Sequence, residues 1–245
     1  MLISIITVAF NAEKTIARTI ESVLNQTYDQ IEYIIMDGLS TDRTLEIAES
    51  YRKRLEDRGI IYRIYSEKDK GIYDAMNNGI YRTRGEIVGM INSDDWYEND
   101  ALETMAALYK ETDYDLAYAD VRIHMKDGRS FIKKARNRKY TTSRDWNHPT
   151  QFVKRKVYER FCYKCENMSD DMDFFFKVKA SGMKIAVVNK TLANFTMGGV
   201  SSRISVKEIG ERIERRYRIY RNHGYSRFYI FECVGFEIIK YILAK

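Results

Sequence analysis

Hydrophobic and polar positions form alternating blocks along the first part of the chain. Continuous apolar runs rich in Ile and Val are typical of strands that are covered on both faces. Such runs occupy residues 2–8, 31–36, 60–65 and 86–91. Apolar residues at helical spacing predict helices between them, at residues 12–25, 41–55 and 72–81. Asn11 is placed to cap the first of these helices. Strands that alternate with helices predict a parallel sheet with crossover helices.

After residue 96 the pattern changes to a mixture of short strands and helices. Further strands are predicted at residues 115–125, 129–134, 151–153, 184–188 and 191–196. Helices are predicted at residues 99–110, 170–180 and from 206 onward, with a break near residues 223–224. The sequence shows no internal repeat and no linker rich in Pro, Gly or Ser. We therefore divide it into one domain over residues 1–202 and a helical tail over residues 203–245.

The composition fits a globular protein in a reducing compartment. Of the 245 residues, 44% are hydrophobic and 31% are charged, and no apolar run has the length that crosses a bilayer. No basic segment precedes the first strand and no small-residue cleavage site follows it, which predicts a cytoplasmic protein without a secretory signal. Cys162 and Cys165 form a lone Cys-x-x-Cys pair, and we interpret them as ordinary thiols.

The positive charge is concentrated in the tail. Residues 203–245 contain ten Lys and Arg against five Glu, so this segment carries most of the formal net charge of +6. Its arginines precede the aromatic sequence FYIF at 228–231, which suits an interfacial helix on an anionic membrane, such as the inner face of the cell membrane. A helical hairpin that packs on the domain or on a second subunit, as in a homodimer, is the alternative.

Two of the predicted strands end in acidic residues. Asp94 and Asp95 follow the strand at 86–91, and Asp37 follows the strand at 31–36. Ligands of open α/β sheets bind at the carboxyl ends of the strands. Adjacent carboxylates in an extended segment point to opposite sides, so one of the pair could bind a hard metal ion and the other a sugar hydroxyl. The alternative is a pair of solvated turn carboxylates that cap the next helix.

Several segments, found in the same order, resemble motifs of the family 2 glycosyltransferases. They are TVAFN at 7–11, SVLNQTY at 22–28, DGLSTDRT at 37–44, DKGIYDAMN at 69–77 and NSDDW at 92–96. The resemblance covers about residues 1–200, and several motifs together are more specific than any one. It implies an α/β protein of the GT-A fold (the nucleotide-diphospho-sugar transferase fold), with a mostly parallel central sheet flanked by helices. It also implies a nucleotide-sugar donor, a divalent metal (Mg²⁺ or Mn²⁺) and inversion at the anomeric carbon.

The same resemblance assigns roles to individual residues. It places the nucleotide in the half formed by residues 1–96 and the acceptor in the half formed by residues 97–202. Asp37 is implied to contact uracil or another base, Asp94 the ribose and Asp95 the metal. The full set of implied nucleotide- and donor-binding residues is Thr7, Ala9, Asn11, Glu13, Asp37, Asp69, Lys70, Asp94 and His148. Ser93 stands at the first position of the family's carboxylate triplet, which is variable.

A later acidic segment is implied to supply the catalytic base. The sequence DDMDF at 170–174 resembles the family's motif, with Asp171 at the position of the catalytic aspartate. A carboxylate there would take the proton of the attacking sugar hydroxyl. The alternative reading is that Asp170 and Asp171 only cap the helix. The glycines of the segment at 198–202 are implied to form a loop near the diphosphate.

These observations predict an inverting glycosyltransferase of cell-surface polysaccharide synthesis, with a UDP-sugar favoured as donor and a glycan or lipid-linked sugar as acceptor. A sugar nucleotidyltransferase is the first alternative, but the loop at 9–13 lacks the glycine of that class. A nucleotide-sugar-binding module without activity is the second alternative, and the retention of Asp94, Asp95 and Asp171 argues against it. Nucleic acid is not an expected partner, because no recognised motif accompanies the basic tail.

Overall fold

The computed structural model describes residues 1–198 and 206–244. Over these ranges the strands are β1 (Ile3–Ala9), β2 (Ile31–Asp37), β3 (Ile61–Ser66), β4 (Ile87–Met90), β5 (Trp96–Tyr97), β6 (Leu116–His124), β7 (Ser130–Lys133), β8 (Phe152–Lys154) and β9 (Ile185–Thr196). The helices are α1 (Ile16–Leu24), α2 (Thr44–Ser50), α3 (Arg52–Asp57), α4 (Ile72–Arg82), α5 (Ala101–Thr112), α6 (Arg155–Arg160), α7 (Asp170–Ala180), α8 (Val206–Asn222) and α9 (Tyr229–Ala244). A short 3₁₀ turn spans His148–Thr150.

The strands form one mixed sheet in the order β3-β2-β1-β4-β8-β6-β9-β5, with β7 paired to β6. The pairs β3–β2, β2–β1 and β1–β4 are parallel, as the alternation of strands and helices predicts. From β8 onward most pairs are antiparallel, although β6 and β9 run parallel. The carboxyl ends of β1, β2 and β4 therefore lie at one edge, which is where the acidic residues were expected to meet.

Hydrophobic side chains cover both faces of the sheet. Ile3 and Ile5 of β1 belong to one buried cluster, and Ile6 and Val8 belong to the other. Helix α1 packs into the first cluster, whereas α4 and α7 pack into the second. Because alternate residues of a strand face opposite sides, a strand buried on both faces needs a continuous apolar run. This explains why the central strands were recognisable in the sequence.

Helix α1 begins four residues later than the sequence pattern predicts. Asn11 adopts a φ of 50° and does not cap the helix. The backbone N–H groups that follow it bond instead to the next loop, with Ala12 N donating to Thr44 Oγ1 (2.7 Å) and Glu13 N to Asp42 Oδ2 (3.1 Å). The prediction that Asn11 is an N-cap is therefore wrong, because long-range loop contacts take up the N–H groups that a cap would serve.

Four further elements or segments differ from the prediction. The predicted helix at 41–55 is two helices, since α2 ends at Ser50 and α3 begins at Arg52. The predicted strands at 184–188 and 191–196 are one strand, β9, whose register with β6 shifts on either side of Asp120. Strand β5 and helix α6 were not predicted, because segments this short lack a periodic pattern.

The C-terminal helices pack on the rest of the protein. Tyr220 and Cys233 are buried in the same cluster as Phe176 of α7, and the Tyr220 hydroxyl accepts a hydrogen bond from Ser143 N (3.0 Å). Large apolar side chains on the outer surface remain exposed: Phe228, Phe231, Ile238 and Ile239. No helix in the described part of the chain is both long enough and apolar enough to cross a membrane.

Gly89 of β4 lies where a larger residue does not fit. A β-carbon at this position would stand 2.8 Å from Phe152 Cε1 and 3.0 Å from Ile5 Cδ1. We expect Gly89→Ala to lower the free energy of unfolding by about 1–3 kcal/mol, because the neighbouring side chains must shift. Urea denaturation measures this change. Gly210→Ala in α8 is the matched control, since no atom of the described residues lies within 4 Å of the added carbon, and it should not destabilise.

Candidate active site at the carboxyl ends of the strands

Asp37, the last residue of β2, is buried at the edge of the sheet with one carboxylate oxygen unpaired. Its Oδ2 accepts hydrogen bonds from Ser66 Oγ (2.7 Å) and Ser40 N (3.1 Å). Its Oδ1 is buried and has no hydrogen-bond partner among residues 1–198 and 206–244. Two serines thus fix the orientation of the carboxylate, and the free oxygen can accept a hydrogen bond from a ligand N–H group.

The predicted donor-binding residues at the end of β1 and just after it hold the loop that follows Asp37. Ala9 O accepts a hydrogen bond from Gly38 N (2.9 Å), and Asn11 Oδ1 accepts one from Thr41 N (2.9 Å). Glu13 Oε2 accepts one from Arg43 N (3.2 Å). These three residues therefore lie at the expected edge, where they fix the loop at 38–43 beside Asp37.

Thr7 does not reach this edge. Its side chain is fully buried inside the sheet, and its hydroxyl lies 3.0 Å from the hydroxyl of Tyr33 on the neighbouring strand. Thr7 shares the face of β1 with Ile3 and Ile5, which pack against α1, and it lies two residues before the end of the strand. The structure therefore gives Thr7 a place in the core and brings the other predicted residues of β1 together without it.

Asp69 and Phe10 flank the backbone of Gly38. A β-carbon on Gly38 would stand 2.7 Å from Asp69 Oδ2 and 3.5 Å from Phe10 Cδ2, so a larger residue would displace the Asp69 carboxylate. Phe10 is 65% exposed, which is unusual for a large aromatic side chain. Lys70 is exposed beside Asp69, and its backbone N–H donates to Asp74 Oδ2 (2.9 Å) of α4. Phe10 was not singled out from the sequence, because an exposed position cannot be told from a buried one in a short loop.

Asp95 carries a second buried and unpaired carboxylate oxygen. Its Oδ1 accepts a hydrogen bond from Thr196 N (2.9 Å) at the end of β9, and its Oδ2 has no partner within the described part of the chain. Burial raises the pKa of Asp95 well above its ordinary value, and the neighbouring charge of Asp94 raises it further. Burial also raises the pKa of Asp94, which is less buried. A cation beside these carboxylates would relieve the cost of burying their charge.

Arg18 of α1 lies beside the two acids and was not recognised in the sequence. Its guanidinium donates to the backbone carbonyl of Asp94 (2.9 Å) and to Thr196 Oγ1 (3.2 Å), and it stacks 3.7 Å above the ring of Trp96. It therefore braces the backbone that carries the acids. A single basic residue on a helix gives no signal of this role, since the contacts depend on how α1 packs.

A divalent metal fits this position only with help from a ligand. No group of three His, Cys, Asp or Glu side chains converges on one point in residues 1–198 and 206–244. The unpaired Oδ2 of Asp95 offers a hard oxygen of the kind that Mg²⁺ or Mn²⁺ prefers. Such ions commonly complete their coordination with substrate phosphates, so the donor set suits a metal that binds together with a diphosphate.

The three acids at the start of α7 have different surroundings. Asp170 is buried, and its Oδ2 accepts a hydrogen bond from Glu166 N (2.7 Å). Asp173 forms ion pairs with Lys177 (2.8 Å) and Lys164 (3.1 Å). Asp171 is half-buried, and its Oδ1 accepts a hydrogen bond from the adjacent N–H of Met172 (2.8 Å). Asp170 and Asp173 thus hold the loop and the helix in place, whereas Asp171 is open to a ligand.

His148 lies beside Asp171. Burial lowers the pKa of His148, and the negative charge of Asp171 acts in the opposite direction. Tyr73 of α4 is a second neighbour, since burial and then the charge of Asp171 raise its pKa. The structure therefore groups His148 with Asp171. The loop implied at 198–202 lies, beyond Gly198, outside the described residues, as do residues 203–205 at the start of the tail.

Comparison with known proteins places this geometry in context. Residues 4–171, more than half of the chain, match the family model described as "Glycosyl transferase family 2". The putative teichuronic acid biosynthesis glycosyltransferase TuaG of Bacillus subtilis is 33% identical over 127 residues, which are 52% of this chain and 49% of TuaG. Chondroitin synthase of Escherichia coli is 31% identical over 237 residues, which are 92% of this chain and 33% of the synthase. The chain thus spans about half the length of the first relative and a third of the second.

Solved structures show the same fold at low sequence identity. S. aureus TarS, in complex with UDP-GlcNAc, superposes with a TM-score of 0.68 and 20% identity, covering 99% of this chain and 73% of that one. The mannosyltransferase PcManGT from Pyrobaculum calidifontis, in complex with GDP-Man and Mn²⁺, gives a TM-score of 0.70 and 14% identity, with coverage of 99% and 73%. The fold is that of the GT-A glycosyltransferases, which confirms the predicted fold class.

Proposed function

Since this chain belongs to glycosyl transferase family 2, we propose that it is an inverting glycosyltransferase that moves a sugar from a nucleoside-diphosphate donor to an acceptor hydroxyl. The observation that carries the proposal is the pair of buried, unpaired carboxylate oxygens of Asp37 and Asp95. They follow β2 and β4, on either side of β1, at the edge where α/β sheets bind nucleotides. One oxygen suits a base N–H group, and the other suits a metal that binds with a diphosphate.

The donor half of the site suits a uridine nucleotide. Uracil presents one ring N–H group, and Asp37 Oδ1 offers one acceptor that no described residue occupies. The exposed ring of Phe10 lies at the same edge and can stack on a base. The TarS complex holds UDP-GlcNAc, whereas the PcManGT complex holds GDP-Man, so the fold accepts more than one base. We infer that the donor is a UDP-sugar, because Asp37 offers one free hydrogen-bond acceptor and uracil presents one ring N–H group.

In this proposal each acid has one task. Asp94 binds the ribose, and Asp95 holds the divalent metal together with the donor diphosphate. The metal, when bound, neutralises the charge that grows on the leaving nucleoside diphosphate. Asp171 accepts the proton of the acceptor hydroxyl as that oxygen attacks the anomeric carbon from the face opposite the leaving group. His148, beside Asp171, lines the acceptor side.

We infer that the acceptor is a glycan or a lipid-linked sugar and that transfer occurs at the cytoplasmic face of the membrane. Support comes from the name of TuaG, a glycosyltransferase of teichuronic acid biosynthesis. The exposed apolar side chains of α9 leave a surface that suits a lipid bilayer, and the excess of basic residues in α8 favours anionic lipids. A second copy of the chain could cover the same surface. Sedimentation with vesicles of anionic lipid, compared with the oligomeric state in solution, distinguishes these partners.

Asp37→Asn tests the base contact. We expect the dissociation constant for UDP to rise about tenfold or more, measured by isothermal titration calorimetry, because a charge-assisted hydrogen bond is lost. The amide oxygen would stay with Ser40 and Ser66, so the amide nitrogen would face the base N–H as a second donor. Ser66→Ala is the matched control, since it leaves the unpaired oxygen intact, and it should change the affinity much less. Equal effects of both substitutions would contradict the base contact.

A thermal-shift screen tests the proposed function as a whole. The protein is melted with UDP, GDP, CDP and dTDP, each with Mn²⁺ and with EDTA, because a ligand of the folded state raises the Tm. We expect UDP with Mn²⁺ to raise the Tm most and EDTA to reduce the shift. No shift with any of the four nucleotides would contradict the proposal. A shift without turnover of any nucleotide sugar would favour a binding module.

A further inference from the structure

Gln151 is a buried side chain whose amide makes no hydrogen bond. It is 4% exposed, and neither its Nε2 nor its Oε1 has a partner among the residues that the structure describes. Buried amides are nearly always bonded, since an unpaired one loses its bonds to water without replacement. Gln26 shows the usual state: its Nε2 donates to the carbonyls of Ser22 and Glu98, and its Oε1 accepts from Leu102 N. The free amide of Gln151 therefore calls for an explanation.

The sheet places Gln151 on the face that carries the proposed base. Gln151 directly precedes β8, and the register pairs Phe152 of β8 with Gly89 of β4. Side chains alternate along a strand, so Gln151 shares its face with Val153. Val153 belongs to the buried cluster that includes Met90 and Met172, and Met172 directly follows Asp171. The amide thus lies beside the end of β4, on the sheet face that α7 covers.

Two further polar groups, one five residues before Gln151 and one just after its partner strand β4, are unpaired as well. The indole nitrogen of Trp146 and the carbonyl oxygen of Asn92 are buried and have no partner within the described ranges. Trp146 stacks on Phe175 of α7 with ring centroids 5.0 Å apart, which fixes the indole. His148, between Trp146 and Gln151 in sequence, senses the charge of Asp171. Unpaired donors and acceptors are therefore carried by the segment at 146–151, which contains His148, and by the loop after β4.

We propose that the Gln151 amide and the Trp146 indole bind hydroxyl groups of the acceptor, and that the acceptor is a sugar with neighbouring free hydroxyls. An amide presents one donor group and one acceptor side by side, and two adjacent sugar hydroxyls can satisfy both, since each hydroxyl donates and accepts. The indole N–H can donate to a third oxygen. These contacts hold the attacking hydroxyl at Asp171. This inference rests on the proposed function and assigns the side chains that bind its sugar acceptor.

The first test needs no substrate. Gln151→Leu keeps the size of the side chain and removes an amide that bonds to no described residue, so the Tm of the unliganded protein should stay equal or rise. Gln26→Leu is the matched control, because it removes an equally buried amide that makes three hydrogen bonds, and it should lower the Tm by several degrees. A loss of Tm in Gln151→Leu as large as in Gln26→Leu would assign Gln151 a structural role and overturn the proposal.

The second test separates acceptor binding from donor binding. Release of nucleoside diphosphate is measured with a panel of methyl and octyl hexosides and with octanol as acceptors. We expect Gln151→Leu to raise the KM for the best hexoside about tenfold or more and to leave the nucleotide-dependent thermal shift unchanged. An unchanged KM for the hexosides, or transfer by the wild type to octanol alone, overturns the proposal while the thermal shift still supports the glycosyltransferase. If no nucleotide raises the Tm of the wild type, both the acceptor-binding proposal and the proposed glycosyltransferase function are overturned.

Discussion

Asp171→Asn is expected to lower kcat about 1,000-fold and to leave the affinity for the nucleotide almost unchanged. A positioned general base contributes about 10²–10⁴-fold to a rate, and an amide cannot take the proton of the acceptor hydroxyl. Asp171 is half-buried, and the N–H of Met172 that bonds to its carboxylate can bond equally well to an amide oxygen. The Tm should therefore change little. Steady-state kinetics at saturating donor, with calorimetry of UDP binding alongside, measure both quantities.

The neighbouring acid provides the matched control. Asp173 forms ion pairs with Lys164 and Lys177, and it lies near His223, which directly follows α8 (3.6 Å). Asp173→Asn should therefore lower the Tm and leave kcat, measured well below that Tm, within a few-fold of the wild type. The reverse pattern, with a stable Asp173→Asn protein that is inactive and an active Asp171→Asn protein, would move the base to Asp173.

Asp95→Asn is expected to abolish the metal-dependent part of nucleotide binding and to lower turnover by about 100-fold or more. Loss of a metal's Lewis acidity costs several kcal/mol of transition-state stabilisation. The unliganded protein should melt at an equal or higher temperature, because a neutral amide avoids the cost of a buried, unpaired charge. The bond from Thr196 N can be kept by the amide oxygen. Thermal shifts with UDP, in Mn²⁺ and in EDTA, measure the effect.

Asp100→Asn controls for a general loss of negative charge near this edge. Asp100 is partly exposed and pairs with Lys190, so its substitution should leave the Mn²⁺-dependent shift unchanged. A full metal-dependent shift in Asp95→Asn would contradict the role of Asp95. A large fall in the Tm of the unliganded Asp95→Asn protein would show that Asp95 stabilises the fold.

Much of the fold could be predicted because the central strands are buried on both faces. The apolar run from Ile3 to Val8 can be interpreted only as a buried strand. The acids at the ends of β2 and after β4, the two strands beside β1, must then meet at one edge. The start of α1 could not be predicted, because the N–H groups of Ala12 and Glu13 bond to residues about thirty positions away. Local signals such as a capping Asn carry no information about such partners.

Part of the candidate site could be predicted because its acids follow recognisable buried strands. Asp37 and Asp95 stand out in the sequence as acids after apolar runs, and the structure adds that each has one unpaired oxygen. Thr7 lies on the same face of β1 as Ala9, but it stands deeper in the strand, where its hydroxyl lies beside that of Tyr33 in the core. The segment HPTQ at 148–151 resembles a family segment, but the sequence assigns Gln151 no role, since only three-dimensional packing reveals that its amide has no partner within the described residues. Polar residues beside a strand are common, and their bonding state decides their role.

The anomeric configuration of the transferred sugar tests inversion assisted by Asp171 most directly. The donor identified by thermal shift is incubated with the best acceptor glycoside, and proton NMR of the product reports the anomeric configuration. We expect a β-linked product from an α-linked nucleotide sugar in the wild type, and none from Asp171→Asn within the same time. An α-linked product would contradict inversion by a single attack assisted by Asp171, and a product formed equally by both proteins would contradict the assignment of the base.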